Sequence, residues 1–220
     1  MYRKSLIMHA LIVVSHPDPQ SLTSSVARTL ADSIERSGHS AEIADLAAEE
    51  FDPRFGKADL TAHLRQSPPP ADVLAEHRRL ERADALVLVY PVYWWSMPGL
   101  MKGWIDRVFS NGWAYEEGDE SRLIKKLGHL PVHLIALPGA SERTYLRRGY
   151  RDAMTTQIDH GIFDYCGAPV IRHDFLFGIV EDGGPDPLDT VRAIGTGLFD
   201  HRAGLAPRLP ATNVEVAPTG

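Results

Sequence analysis

Cysteine is nearly absent from this chain of 220 residues: Cys166 stands alone, which excludes an intrachain disulfide and any CxxC metal site and suits a reducing cytosol. Long apolar runs are missing as well, and no stretch approaches the roughly 20 residues of a membrane span. Nor is there an excess of positive charge. Twenty-three Lys and Arg stand against 29 Asp and Glu, and the formal charge of −6 argues against a large sequence-independent affinity for nucleic acid or anionic lipid. Three signatures of common chemistry are absent: the GxGxxG of a dinucleotide fold, the Walker lysine motif and the Gly-x-Ser-x-Gly nucleophile elbow. His129, His133, His160 and His173 lack metal-ligand spacing and read as surface or solvated residues. Asp106-Arg107 reads as a solvated or interface pair on its helix, and Cys166 as a small core residue on a helix.

What is present is ordinary globular composition, 44% hydrophobic and 24% charged, at a length that suits one α/β domain. The N-terminal Arg3-Lys4 followed by apolar residues looks like a signal peptide, but His9 interrupts the run and no Ala-x-Ala site follows. The expectation is therefore a cytoplasmic protein with one domain over 1–206 and a Pro-rich tail over 207–220. Short apolar runs at 8–15, 83–89, 132–137 and 170–177, with a shorter one at 41–46, predict five strands, the first buried on both faces and that at 83–89 buried as well. Helical periodicity or compatible composition falls between and after them, at 22–37, 72–82, 98–109, 144–165 and 188–205. The segment 51–70 has no clean period and reads as loop with a helical turn or two. Strands alternating with helices predict an α/β doubly wound five-stranded parallel sheet with helices on both faces. Ligands of such sheets bind beyond the carboxyl ends of the strands, which directs attention to the loops starting at Ser15, Tyr90 and Leu137.

The first of these loops, Ser15-His16-Pro17-Asp18-Pro19-Gln20-Ser21-Leu22-Thr23, feeds a helix N-terminus whose free N–H groups and dipole favour an anion. The hydroxyls of Ser21 and Thr23 and the His16 imidazole can add hydrogen bonds to a phosphate; the same hydroxyls also serve an ordinary helix cap. The second loop is more specific. Pro91-Val92-Tyr93-Trp94-Trp95 places three consecutive aromatics in a turn at the end of a buried strand, where they are costly to expose unless a flat aromatic ligand covers them.

Tyr90 to Phe109, continued by Ser110-Asn111-Gly112-Trp113-Ala114-Tyr115, resembles the signature of the NAD(P)H:quinone oxidoreductase (DT-diaphorase) family. The resemblance covers most of residues 8–180 and implies a flavodoxin-like fold. It further implies that His16, Ser21, Leu22 and Thr23 hold the phosphate end of a flavin, while Pro91, Val92, Tyr93, Trp94 and Trp95 line the isoalloxazine. Leu137, Pro138 and Gly139, with Tyr145 beyond them, match the segment that reaches the flavin's pyrimidine edge. The family's Thr-Thr-Gly-Gly becomes Leu137-Pro138-Gly139-Ala140 here, which loses two hydroxyls. Animal members carry a tyrosine and, six residues later, a histidine; here Tyr145 is followed by Arg151, whose fixed charge can stabilise an anion but cannot relay a proton at neutral pH. Tyr115 and Trp95 match the substrate mouth, and Glu117 replaces a second aromatic there.

The implied activity is two-electron ping-pong reduction of a quinone or similar small acceptor by NAD(P)H. FAD is the favoured flavin, with FMN as the alternative, and a homodimer completes the slot. Two other functions fit the same residues: a flavin-binding ancillary subunit of a potassium efflux system, which the Trp113-Ala114-Tyr115 segment resembles, and a flavodoxin-type one-electron carrier. The modest charge and the Trp94-Trp95 platform speak against the carrier.

Overall fold

A computed structural model describes residues 7–117, 122–177 and 186–200. Five parallel strands form the sheet: β1 (His9–Val14), β2 (Ser40–Asp45), β3 (Ala85–Pro91), β6 (Val132–Leu137) and β7 (Val170–Phe175), in the spatial order β2-β1-β3-β6-β7. Two further strands, β4 (Tyr115–Glu117) and β5 (Leu123–Lys125), pair antiparallel in a hairpin outside this sheet. The helices are α1 (Leu22–Arg36), α2 (Lys57–His63), α3 (Ala71–Arg82), α4 (Gly99–Val108), α5 (Glu142–Arg148), α6 (Tyr150–Met154) and α7 (Pro187–Thr196).

Alternation of side chains on the central strands divides the core in two. Ala10, Ile12 and Val14 of β1 and Val87 and Val89 of β3 face Val26, Leu30 and Ile34 of α1 and Val191 and Ile194 of α7. Leu11, Val13, Leu86, Leu88 and Tyr90 face the other way, onto Leu80 of α3 and Met101, Trp104, Ile105 and Val108 of α4. Each fully buried aliphatic side chain contributes about 1.5–3 kcal/mol, and the strands are apolar on both faces because both faces are covered. Gly103 lets α4 close on the segment before α2: a Cβ there would sit 2.3 Å from the Pro53 carbonyl oxygen.

The predicted sheet and its helices are all present, with shifts at the ends. The helix expected over 144–165 is broken. Gly149, at φ 70°, ends α5 in a left-handed cap, and beyond α6 the chain continues through Thr155–Asp164 as a π-helix. The expected helix over 188–205 is described to Thr196, and the Pro-rich segment from 207 lies outside the described residues. The 51–70 excursion contains one real helix, α2, and the β4–β5 hairpin had no counterpart among the predicted elements.

Two expectations of solvation are corrected. Arg107 is buried and donates to the Asp59 carboxylate at 2.9 Å, the Asp72 carboxylate at 2.6 Å and the Asp52 carbonyl at 2.8 Å, with the Phe51 ring beside its guanidinium. Its sequence neighbour Asp106 pairs instead with Lys102 at the surface. His133 and His173 are likewise interior: each sits on a strand of the parallel sheet, where helices and loops shut out water. His129 and His160 are exposed, as expected, and Cys166 is buried, with its thiol pushed up to about 11 by burial.

Candidate active site

In the order β2-β1-β3-β6-β7 the chain reverses direction of winding between β1 and β3, and the diverging loops at the carboxyl ends of those two strands are where doubly wound sheets bind their ligands. The β1 loop ends in α1. Ser21 caps that helix, its hydroxyl accepting from the Ser24 amide at 3.1 Å, and the Ser25 amide donates to the Ser21 carbonyl. The first two helical amides, of Leu22 and Thr23, precede any intrahelical acceptor and face outward from the helix end. No acidic residue occupies the first turn. His16 accepts the Asp18 amide at Nδ1 (3.0 Å), so in the neutral ring Nε2 carries the proton and is a donor. Two amides, the Thr23 hydroxyl and an imidazole N–H form a donor set for an anion, reinforced by the helix dipole.

The β3 loop is a tight turn. Tyr93 and Ser96 exchange both backbone hydrogen bonds at 3.0 Å, enclosing Trp94 at φ 51° and Trp95 at φ 57°. This two-residue, doubly positive-φ arrangement is that of a type I′ turn, a conformation usually given to Asn-Gly. Bulky side chains there cost on the order of 1–2 kcal/mol each. The closing bonds use the amides of Tyr93 and Ser96, and those of Trp94 and Trp95 have no backbone acceptor among the described residues. Trp94 is 88% exposed and Tyr93 is exposed, whereas Trp95 is half-buried, lying 4.0 Å from the Tyr150 ring. The loop is tied to the third one by the Val92 amide, which donates to the Leu137 carbonyl at 3.0 Å. Leu137 and Pro138 are buried and Gly139 is exposed.

The predicted residues divide accordingly. His16, Ser21, Leu22 and Thr23 gather at the end of α1, Pro91 to Trp95 form the turn, and Leu137 to Gly139 lie beside that turn. Tyr145 lies deeper, only 2% exposed, edge-on to Tyr150, Phe175 and Phe177. Burial pushes its phenol up to about 12, so it keeps its proton at neutral pH. Arg151 is exposed, 3.8 Å from Glu142, with its guanidinium over the same Phe175 ring. Tyr150, one residue off the position of the family's histidine, is the residue that touches Trp95. Tyr115 is not brought to this crevice: it packs on Tyr165 and His63 at a separate concavity of about 450 Å³, lined also by Phe55, Ile105 and Phe109.

Tyr145 and Cys166 set an alkaline limit. Both pKa values are raised in the folded state, so the unfolded chain loses these protons first and stability falls as pH rises. Urea titrations are expected to show that loss beginning near pH 9 and still growing at pH 12, because the buried Tyr90 phenol is raised further still. A flat profile over that range would contradict the burial of both groups.

A doubly wound sheet with an anion cradle after β1 and an aromatic turn after β3 defines a flavodoxin-type α/β protein with its ligand crevice at the switch point. The chain belongs to the family described as flavodoxin-like fold, whose model matches residues 8–193. It is similar to the ribosyldihydronicotinamide dehydrogenase (quinone) of Pongo abelii, 28% identical over 189 residues that cover 76% of this chain and 80% of the relative. It is similar also to NAD(P)H dehydrogenase (quinone) 1 of Cavia porcellus, 26% identical over 195 residues covering 79% of this chain and 70% of that one. Among solved structures, an NAD(P)H:quinone oxidoreductase from Methanothermobacter marburgensis superimposes with a TM-score of 0.79 at 27% identity, covering 88% of this chain and all of that one.

Proposed function

We propose that the protein is a flavin-dependent NAD(P)H:quinone oxidoreductase that passes two electrons from NAD(P)H to a quinone or similar small acceptor by a ping-pong route. The observation that carries this reading is the pairing of an anion cradle with an aromatic turn at one switch point, in a chain whose relatives are named for quinone reduction. The donor set fits a flavin: phosphate needs N–H and O–H donors and the helix dipole, and the ring edge needs donors that do not titrate. Bound there, a flavin supplies acceptance of a hydride from the nicotinamide and delivery of two electrons to the quinone.

The chain's own part is binding, orientation and proton retention. His16 Nε2, the Thr23 hydroxyl and the Leu22 and Thr23 amides hold the phosphate. The amides of Trp94 and Trp95 meet the ring edge, and their fixed turn spares reorganisation when charge develops there. Leu137 and Pro138 shield the pyrimidine side from water, while Gly139 keeps that approach open. Tyr145 holds its proton within the aromatic cluster behind the turn, and Arg151 adds a fixed positive charge at its rim. Positioning of this kind accounts for about 7–11 kcal/mol of barrier in well-aligned systems.

A homodimer completes the slot. Tyr115 lies away from the crevice of its own chain, so the acceptor wall assigned to it, with Trp95 opposite, is formed by the second copy. The helical excursion around α2 supports FAD over FMN. No helix among the described residues is long and apolar enough to cross a membrane, and the single cysteine supports a cytoplasmic setting.

Reconstitution tests the reading. Apoprotein titrated with FAD and with FMN is expected to quench flavin fluorescence at one flavin per chain, tighter for FAD. Thr23→Val is expected to weaken that binding about 10- to 100-fold, the loss of one hydrogen bond to a charged group. No binding of either flavin would overturn the proposal.

A further inference from the structure

We infer that Tyr90, His173, Asp159 and Gln157 are positioning residues that brace the Trp94–Trp95 turn in its strained conformation. The role given to the turn rests on the flavin-site reading above; the brace itself is read from the geometry alone. Two adjacent bulky residues at positive φ persist only where their surroundings over-determine them. Here both shoulders of the turn are fastened to one element, the π-helical segment Thr155–Asp164.

On the entering side stands Tyr90, the residue before Pro91 at the end of β3. Its hydroxyl lies 3.3 Å from His173 Nε2, and His173 Nδ1 lies 2.8 Å from the Asp159 carboxylate. The carboxylate accepts the Nδ1 proton, which leaves Nε2 of the neutral ring to accept from the Tyr90 phenol. This link spans two strand intervals, since β6 runs between β3 and β7, and the residue of β6 in register with Tyr90 is the small Ala136. On the leaving side the Ser96 hydroxyl donates to Gln157 Oε1 at 2.8 Å. Gln157 and Asp159 are two residues apart in a segment wound with i→i+5 bonds, a geometry rare in proteins and frequent at functional sites. His173 is further clamped by stacking on Phe175 at 4.4 Å.

Tyr90 is fully buried, so no substrate or flavin atom touches it, and burial together with the Asp159 charge raises its phenol well above the ordinary range. It is a permanent donor held out of reach of the reaction. That combination assigns it to positioning rather than catalysis.

The test uses Tyr90→Phe, which removes one oxygen, and Gln157→Ala, remote in sequence from the turn. Trp104→Phe is the control: it deletes a buried hydrogen bond of the same core, from Trp104 Nε1 to Glu76 at 2.8 Å, away from the turn. In apoprotein, both brace variants are expected to shift or broaden the amide resonances of Trp94 and Trp95, and the control to leave them in place while lowering Tm. Flavin affinity is expected to fall about 5-fold in each brace variant, the worth of one hydrogen bond, and less than about 2-fold in the control. Unchanged Trp94 and Trp95 resonances in both brace variants would overturn the inference. Perturbed resonances in a chain that binds no flavin would sustain the brace and overturn the functional reading instead.

Discussion

Trp95→Pro is expected to weaken flavin binding by about 100-fold or more, while Trp95→Gly weakens it only about 10-fold. Proline fixes φ near −65°, against the 57° of Trp95, and deletes the amide proposed to meet the flavin; a misplaced proline costs about 3 kcal/mol before the lost hydrogen bond is added. Glycine keeps both the amide and the left-handed conformation, and forfeits only the ring packed on Tyr150. Equilibrium titration of the apoproteins separates the two. Equal losses would mean that the indole rather than the backbone of residue 95 makes the contact. Trp94→Gly belongs to the same argument: with 88% of that side chain exposed and its backbone strained, the apoprotein loses no stability.

Arg107→Met is expected to cost about 3–5 kcal/mol of stability, because it strands the Asp59 carboxylate, 6% exposed, without its partner. Urea denaturation measures this directly. Lys102→Met breaks the exposed Lys102–Asp106 pair on the same helix and is expected to change stability by less than about 0.5 kcal/mol. A cost for Arg107→Met near that of Lys102→Met would show that Asp59 finds water or another donor.

The contrast between these neighbours shows what could be read from the sequence. Strands β1, β3 and β6 were legible because burial on both faces leaves an unbroken apolar run, and α1 because its apolar positions recur at helical spacing before Gly38. Asp106 and Arg107 look alike as letters, yet the carboxylate partners of Arg107 come from 35 and 48 residues away, beyond the reach of local pattern. His173 was misread for the same reason: nothing near it announces Asp159 or Tyr90. The π-helical segment has no composition of its own, and Gly149 inside an otherwise helical pattern was the only mark of the break before it.

At the crevice, the residue types were legible and the backbone was not. Three consecutive aromatics pointed to a covered loop, but a type I′ turn built from two tryptophans contradicts the Asn-Gly chemistry by which such turns are recognised. Tyr115 matched a substrate-mouth position by order along the chain, whereas the fold packs it on Tyr165 and His63 at a different concavity, contacts that lie far apart in sequence.

The central claim is two-electron transfer between NAD(P)H and a quinone at this crevice. Anaerobic stopped-flow absorbance of the flavin-loaded protein, mixed with NADH or NADPH and then with a benzoquinone, tests it most directly. Complete bleaching followed by rapid recovery, with no radical absorbance in either phase, is the predicted result. Slow bleaching, or a radical band that persists, would contradict the account and indicate an electron carrier or a flavin-binding regulatory subunit.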